Sequence, residues 1–150
     1  MHLFKILQYF TQIRNEAGQL LPEEKVTVRE IGGTMAPIWS SFVESGRVSA
    51  VMYVVDASSP ETIGTATIHL VELLAHPSLE GTSVLIVFSK ADLQSPRNMQ
   101  ELKSIIRFDN IVSMTNQDVQ SMTFNISKKD TLEKIFDWCM KFHTPSMDMA

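Results

Sequence analysis

Apolar and polar positions follow two rhythms along the chain, and their alternation outlines the fold. Residues 2–14 (HLFKILQYFTQIR) set Leu3, Phe4, Ile6, Leu7, Phe10 and Ile13 at helical spacing, which predicts a helix with one face against a core. Residues 15–25 read as a loop around Gly18 and Pro22. Residues 26–29 then alternate, with Val26 and Val28 on one face and Thr27 and Arg29 on the other, the pattern of a half-covered strand. Gly32-Gly33 follows, two residues that tolerate backbone angles closed to others and let a ligand approach the main chain; a short helix comes next. Residues 48–55 are apolar on both faces, as in a strand of a parallel sheet covered by helices on each side. They lead into Asp56-Ala57-Ser58-Ser59-Pro60-Glu61, where either Ser58 with Glu61 or Ser59 before Pro60 caps a helix over 61–75. Ile63, Leu70, Leu73 and Leu74 form its buried stripe. Residues 84–88 (VLIVF) are a second buried strand, ending in Ser89-Lys90-Ala91-Asp92. A helix over 99–107 turns Leu102, Ile105 and Ile106 inward, and 122–126 is the last strand. Leu132, Ile135, Phe136, Cys139 and Phe142 mark a terminal helix capped by Asp130 or Thr131, before a frayed tail at 144–150. Strands alternating with helices predict a parallel α/β architecture, whose ligands sit at the carboxyl ends of the strands.

Composition narrows the function classes. The 150 residues suit one domain. With 13 basic and 17 acidic residues the net charge is −4, which argues against nucleic acid as a partner. Cys139 is the one cysteine, so no intrachain disulfide forms, and a reducing compartment is expected. No apolar run approaches the ~18 residues of a membrane span, and no signal-peptide pattern opens the chain; a soluble, cytoplasmic protein is the expectation. G-x-S-x-G, C-x-x-C and H-E-x-x-H are absent, and the histidines at 2, 69, 76 and 143 form no i, i+4 pair. The nine methionines fall mostly on apolar faces and read as core filler.

One family matches the central stretch. Arg29-Glu30-Ile31-Gly32-Gly33-Thr34, then Pro37-Ile38-Trp39 and Phe42, then VMYVVDAS, resembles the switch II region and following strand of Arf-like small GTPases, with their W-D-x-G-G-Q, P-[LI]-W and V-V-D-[SA]. The resemblance implies a single small-GTPase-like domain over 1–150: a divergent segment at 1–24, a G-domain core at 25–143 and a tail at 144–150. It implies an α/β fold of three layers with a parallel P-loop-GTPase-like sheet, incomplete at its N-terminal side because the first strand and the phosphate loop are missing. Either residues 1–13 substitute for that strand or the sheet keeps an unfilled slot with exposed edges. The six glycines stand at 18, 32, 33, 46, 64 and 81, and none precedes a lysine, so G-x-x-x-x-G-K-[ST], which cradles phosphates with backbone N–H groups and a lysine, has no counterpart. An unrelated doubly wound domain would explain the alternation, but neither Gly32-Gly33 nor SKAD.

The resemblance also assigns roles. Ser89-Lys90-Ala91-Asp92 is similar to [NT]-K-x-D, in which Asp92 would accept two adjacent guanine N–H groups and the Lys90 stem would lie along the base. Ser89 takes the Asn/Thr slot. Ser127-Lys128-Lys129 is similar to the S-A-K loop, where a backbone N–H meets the guanine carbonyl. Glu30 fills the slot of the Asp that reaches Mg²⁺ through a water, one methylene longer. Gly33 would give its N–H to the γ-phosphate. Thr34 stands where the family's Gln orients the attacking water and is too short for it, so no catalytic residue is assigned. Two readings follow. One is a guanine-nucleotide switch binding GTP or GDP with Mg²⁺, weak in binding and hydrolysis as this chain stands. The other is a nucleotide-independent interaction module whose switch II surface (Pro37, Trp39 and Phe42) meets effector or regulator proteins. Trp39 either anchors such a partner or packs beneath the neighbouring helix. Membrane association is not supported, since position 2 is His where N-myristoylation needs Gly.

Overall fold

The computed structural model describes residues 2–9, 13–14, 20–21, 26–44, 48–58, 60–90 and 98–142. Its frame is a five-stranded sheet in the order β4-β1-β5-β6-β7. The strands are β1 (His2–Tyr9), β4 (Val26–Gly32), β5 (Ala50–Asp56), β6 (Ser83–Ser89) and β7 (Asp118–Phe124); β2 (Ile13–Arg14) and β3 (Leu20–Leu21) form a separate small hairpin. The helices are α1 (Trp39–Glu44), α2 (Pro60–Leu74), α3 (Met99–Ile105), α4 (Phe108–Met114) and α5 (Lys129–Met140), with 3₁₀ turns at Gly33–Ile38 and Pro77–Leu79. None of the described helices is long and apolar enough to cross a membrane.

β5, β6 and β7 run parallel, as the apolar runs predicted. The amino-terminal segment differs from expectation. Residues 2–9 form a strand instead of a helix, and of the two alternatives above it is the substitution that occurs: the strand fills the slot. β1 lies between β4 and β5 and is antiparallel to both, with Leu3 opposite Gly32 on one side and Val54 on the other. The sheet is therefore mixed. The reason is physical: the facing edges of β4 and β5 would otherwise present unpaired N–H and C=O groups at the centre of the sheet, and a strand satisfies both edges where a helix satisfies neither. Short apolar runs such as Leu3-Phe4 and Ile6-Leu7 fit either periodicity.

Side-chain alternation splits the core into two layers. On one face Val51, Tyr53 and Val55 of β5 join Val84, Ile86 and Phe88 of β6 against Trp39 and Val43 of α1, Ile63, Ala66, Leu70 and Leu73 of α2, Leu102 of α3 and Phe108 of α4. On the other, Ala50, Met52, Leu85 and Val87 meet Ile135, Trp138 and Cys139 of α5. This is why the central strands read as apolar throughout. Gln117, buried before β7, donates to the carbonyls of Leu74 (2.9 Å) and Leu79 (3.1 Å), fastening the end of α2 to the 3₁₀ turn.

Three boundaries moved. The helix expected over 99–107 stops at Ile105, because Arg107 adopts a left-handed conformation (φ 53°) and restarts the chain as α4. β7 begins at Asp118 and ends at Phe124, before the 122–126 expected from apolar content. α5 starts after Lys128, so Asp130 and Thr131 lie inside it; the Thr131 hydroxyl sits 2.7 Å from the Lys128 carbonyl and 3.1 Å from that of Asn125. Leu132 and Phe136, expected in the inward stripe of that helix, are exposed, and Trp138 takes the buried position.

Candidate functional site

The parallel strands finish level with one another. Asp56 of β5 pairs with Ser89 of β6, and Ser89 with Phe124 of β7. Their exits, Ala57-Ser58, Lys90 and Asn125–Lys128, therefore emerge from one carboxyl edge. β4 ends there too, since Gly32 and Val54 both stand opposite Leu3.

Asp56 organises this edge. It is buried; one carboxylate oxygen accepts the Ser58 N–H (3.0 Å) and the other lies 3.1 Å from the Lys90 Nζ. Burial alone would raise its pKa, but hydrogen bonds from the Ser58 side chain and backbone, with the Lys90 ammonium, outweigh it and hold the carboxyl at about 2. Two further bonds tie the strands: Ala57 N–H donates to the Ser89 carbonyl (2.8 Å), and the Ser89 hydroxyl to the Val55 carbonyl (3.1 Å). Lys90 turns off the strand in the left-handed region, φ 57°. Ser89 and Lys90 lie at this edge, with Asp56 as a partner to which the sequence alone gave no role. The signal for it was a lone carboxylate closing an otherwise apolar strand. Asp92 falls in residues 91–97, outside the described residues.

The turn after β7 holds its own donors. Ser127 N–H donates to the Asn125 side-chain oxygen (2.9 Å) and Lys128 N–H to the Asn125 carbonyl (2.9 Å). A base carbonyl at this turn would have to replace one of those bonds. Ser127 and Lys128 are exposed at the expected strand exit, and Asn125 is the residue that shapes it.

At the β4 end, Gly32 has an ordinary extended backbone (φ −65°, ψ 152°), and a Cβ there would meet only Thr34 Oγ1, at 3.8 Å. The turn itself does not need glycine at 32, which corrects the conformational half of that expectation; open space on the backbone remains. Gly33 begins the 3₁₀ turn. Glu30 is exposed on β4, and among the described residues no three His, Cys, Asp or Glu side chains converge to hold a metal ion.

Trp39 is a core residue, 3% exposed. Its indole N–H donates to the Gly32 carbonyl (3.1 Å), and its ring meets Tyr53 and His69 edge-on at 5.9 and 5.8 Å. It packs beneath the neighbouring helix, the second of the two roles left open for it by the sequence. Phe42 is half-buried beneath the Arg29 guanidinium, 4.8 Å from its ring centre. Pro37 is exposed, together with Met35 and Ile38. Beside them runs a cleft of about 450 Å³ between the 3₁₀ turn and α2, lined by Gly33, Pro37, Trp39, His69, Glu72 and His76 among others. Behind it, burial and then the Glu72 charge push the Tyr53 hydroxyl well above the usual phenol range, so it stays a donor to the Ala66 carbonyl at 2.8 Å.

Three layers around a largely parallel sheet, with loops gathered at its carboxyl edge, make a P-loop-GTPase-like domain. The chain belongs to the ADP-ribosylation factor family, whose model matches residues 20–143. It is similar to human ADP-ribosylation factor-like protein 16, 32% identical over 124 residues, 83% of this chain and 62% of the relative. It is also similar to ADP-ribosylation factor-like proteins 8b and 8c of Arabidopsis thaliana, 26% and 28% identical over 120 residues, 77% of this chain and 62% and 61% of theirs. The chain thus spans about three-fifths of the length of these relatives. The family as a whole is one of GTP-binding regulatory GTPases.

Proposed function

We propose that this chain is a regulatory domain that recognises guanine nucleotide mainly by its base, at the carboxyl edge of β5, β6 and β7, and holds the phosphates weakly. The observation that supports this most is the fastening of Ser89 to Val55 and Ala57 and of Lys90 to Asp56 at the strand exits, where a P-loop-GTPase-like fold reads its base. Asp92 would accept the two guanine N–H groups, and Ser127 and Lys128 would border the ring. Two facts support weak phosphate binding. The sequence contains no G-x-x-x-x-G-K-[ST]. In addition, β1 runs opposite to β4 and β5 and ends at Tyr9, at the edge of the sheet away from Gly32 and Asp56. Gly33 would be left as the main backbone donor to the phosphates. Thr34 cannot orient an attacking water, so hydrolysis by this chain is slow.

A competition experiment tests the base reading. A fluorescent GDP analogue bound to the chain should be displaced by GMP or GDP but not by ADP, and Asp92→Ala should abolish that preference. Equal displacement by ADP, or no binding by folded protein, would overturn it.

A second reading rests on the surface beside the glycine turn. Met35, Pro37 and Ile38 are exposed on the 3₁₀ turn, with Phe42 half-buried beneath Arg29, and this supports contact with effector or regulator proteins through the switch II region. Trp39 would stiffen that surface from below. A photoreactive side chain at position 38 distinguishes the readings: a partner captured equally with and without guanine nucleotide supports nucleotide-independent interaction, and capture that requires GTP supports the switch.

A further inference from the structure

We infer that Asp56 is the positioning residue for Lys90, so that a carboxylate on β5 sets the aim of the base-reading residue on β6. The inference rests on the guanine reading above and extends it to a residue on a different strand. A lysine at φ 57° is uncommon, and such a conformation persists only where its surroundings fix it. Here the surroundings are specific. Ser89, just before it, is bound to β5 through its carbonyl and its hydroxyl, which fixes where the chain leaves the strand. The Lys90 ammonium then reaches back 3.1 Å to Asp56.

Asp56 is suited to hold it. Its side chain is 12% exposed, and the Ser58 N–H occupies its other oxygen, so it cannot follow a moving lysine. The Lys90 side chain is 56% exposed. One end of the pair is therefore anchored in the fold while the other lies open at the carboxyl edge, where a base would stack along the lysine stem. An ion pair serving packing alone has no need of an exposed, backbone-strained partner at a strand exit. A charge-assisted bond of this length is among the stronger side-chain contacts, and losing it frees both the ammonium and the left-handed turn.

The test uses the intact chain and three variants. Asp56→Asn keeps the shape and the acceptor for Ser58 but removes the charge; Lys90→Met removes the ammonium; the third combines them. GDP affinity is expected to fall roughly tenfold in each single variant, and the double variant should be no weaker than Lys90→Met, because both changes remove one interaction. Unchanged GDP affinity in Asp56→Asn, or additive losses in the double variant, would overturn the inference. Two measurements without nucleotide separate its failure from that of the guanine reading. Amide exchange at Lys90 should quicken in Asp56→Asn while the β6 core amides hold, and the Asp56 ¹³Cγ titration should move up in Lys90→Met. If the wild-type chain binds no guanine nucleotide but both changes appear, base recognition fails and the positioning stands. If neither appears, the positioning is wrong whatever the nucleotide result.

Discussion

The Asp56 carboxyl is held at about 2, from an ordinary value near 3.8, despite burial that works the other way. Its folded pKa lies below the unfolded one, so its stabilisation is fully present above about pH 4 and disappears as pH falls towards about 2. The exposed Lys90 end is screened by water, which limits the contribution to about 1–2 kcal/mol. Urea unfolding of wild type and Asp56→Asn between pH 5 and 2 should therefore converge, with wild type losing about 1–2 kcal/mol more than the variant; parallel pH profiles would contradict the ion pair. Ser89 and Lys90 were legible as site residues because a tetrapeptide at the end of an apolar strand carries its position with it. Their tie to Asp56 was not, since 34 residues of chain separate the partners and only the register of β5 on β6 brings them level. Trp39 was open between two roles in the sequence, and the carbonyl of Gly32 and the rings of Tyr53 and His69 decide for the core.

At the scale of elements, β1 carries the largest revision. Its apolar spacing suits a helix, and what selects a strand is the gap between β4 and β5, a feature of the assembled sheet that no local window contains. Amide hydrogen exchange can check this. Amides of residues 4–8 should be protected on both sides of the strand, as in a central strand, with exchange rates close to those of β5. Exchange as fast as in an exposed segment would contradict the strand. The other misplaced boundaries have local causes. β7 contains Gln120, Ser121 and Thr123, so apolar content marks only part of it, and the left-handed Arg107 breaks a helix in a stretch without glycine or proline. The central strands β5 and β6 were legible because both of their faces are covered, which leaves no polar position to blur the pattern.

For the whole molecule, the direction of β1 ties fold to function. A parallel strand in that slot would end at the carboxyl edge, beside Gly33 and Asp56; the antiparallel β1 ends at Tyr9, at the far edge. In the function proposed above, the two halves of the site differ in strength, with a fastened base end and a sparse phosphate end. Binding of GMP, GDP and GTP to the chain, measured with and without Mg²⁺, tests that difference most directly. The three nucleotides are expected to bind within about tenfold of one another, with little effect of the metal, because added phosphates find few donors. GTP binding roughly a thousandfold or more tighter than GMP, and dependent on Mg²⁺, would contradict base-led recognition and require a phosphate cradle in this chain.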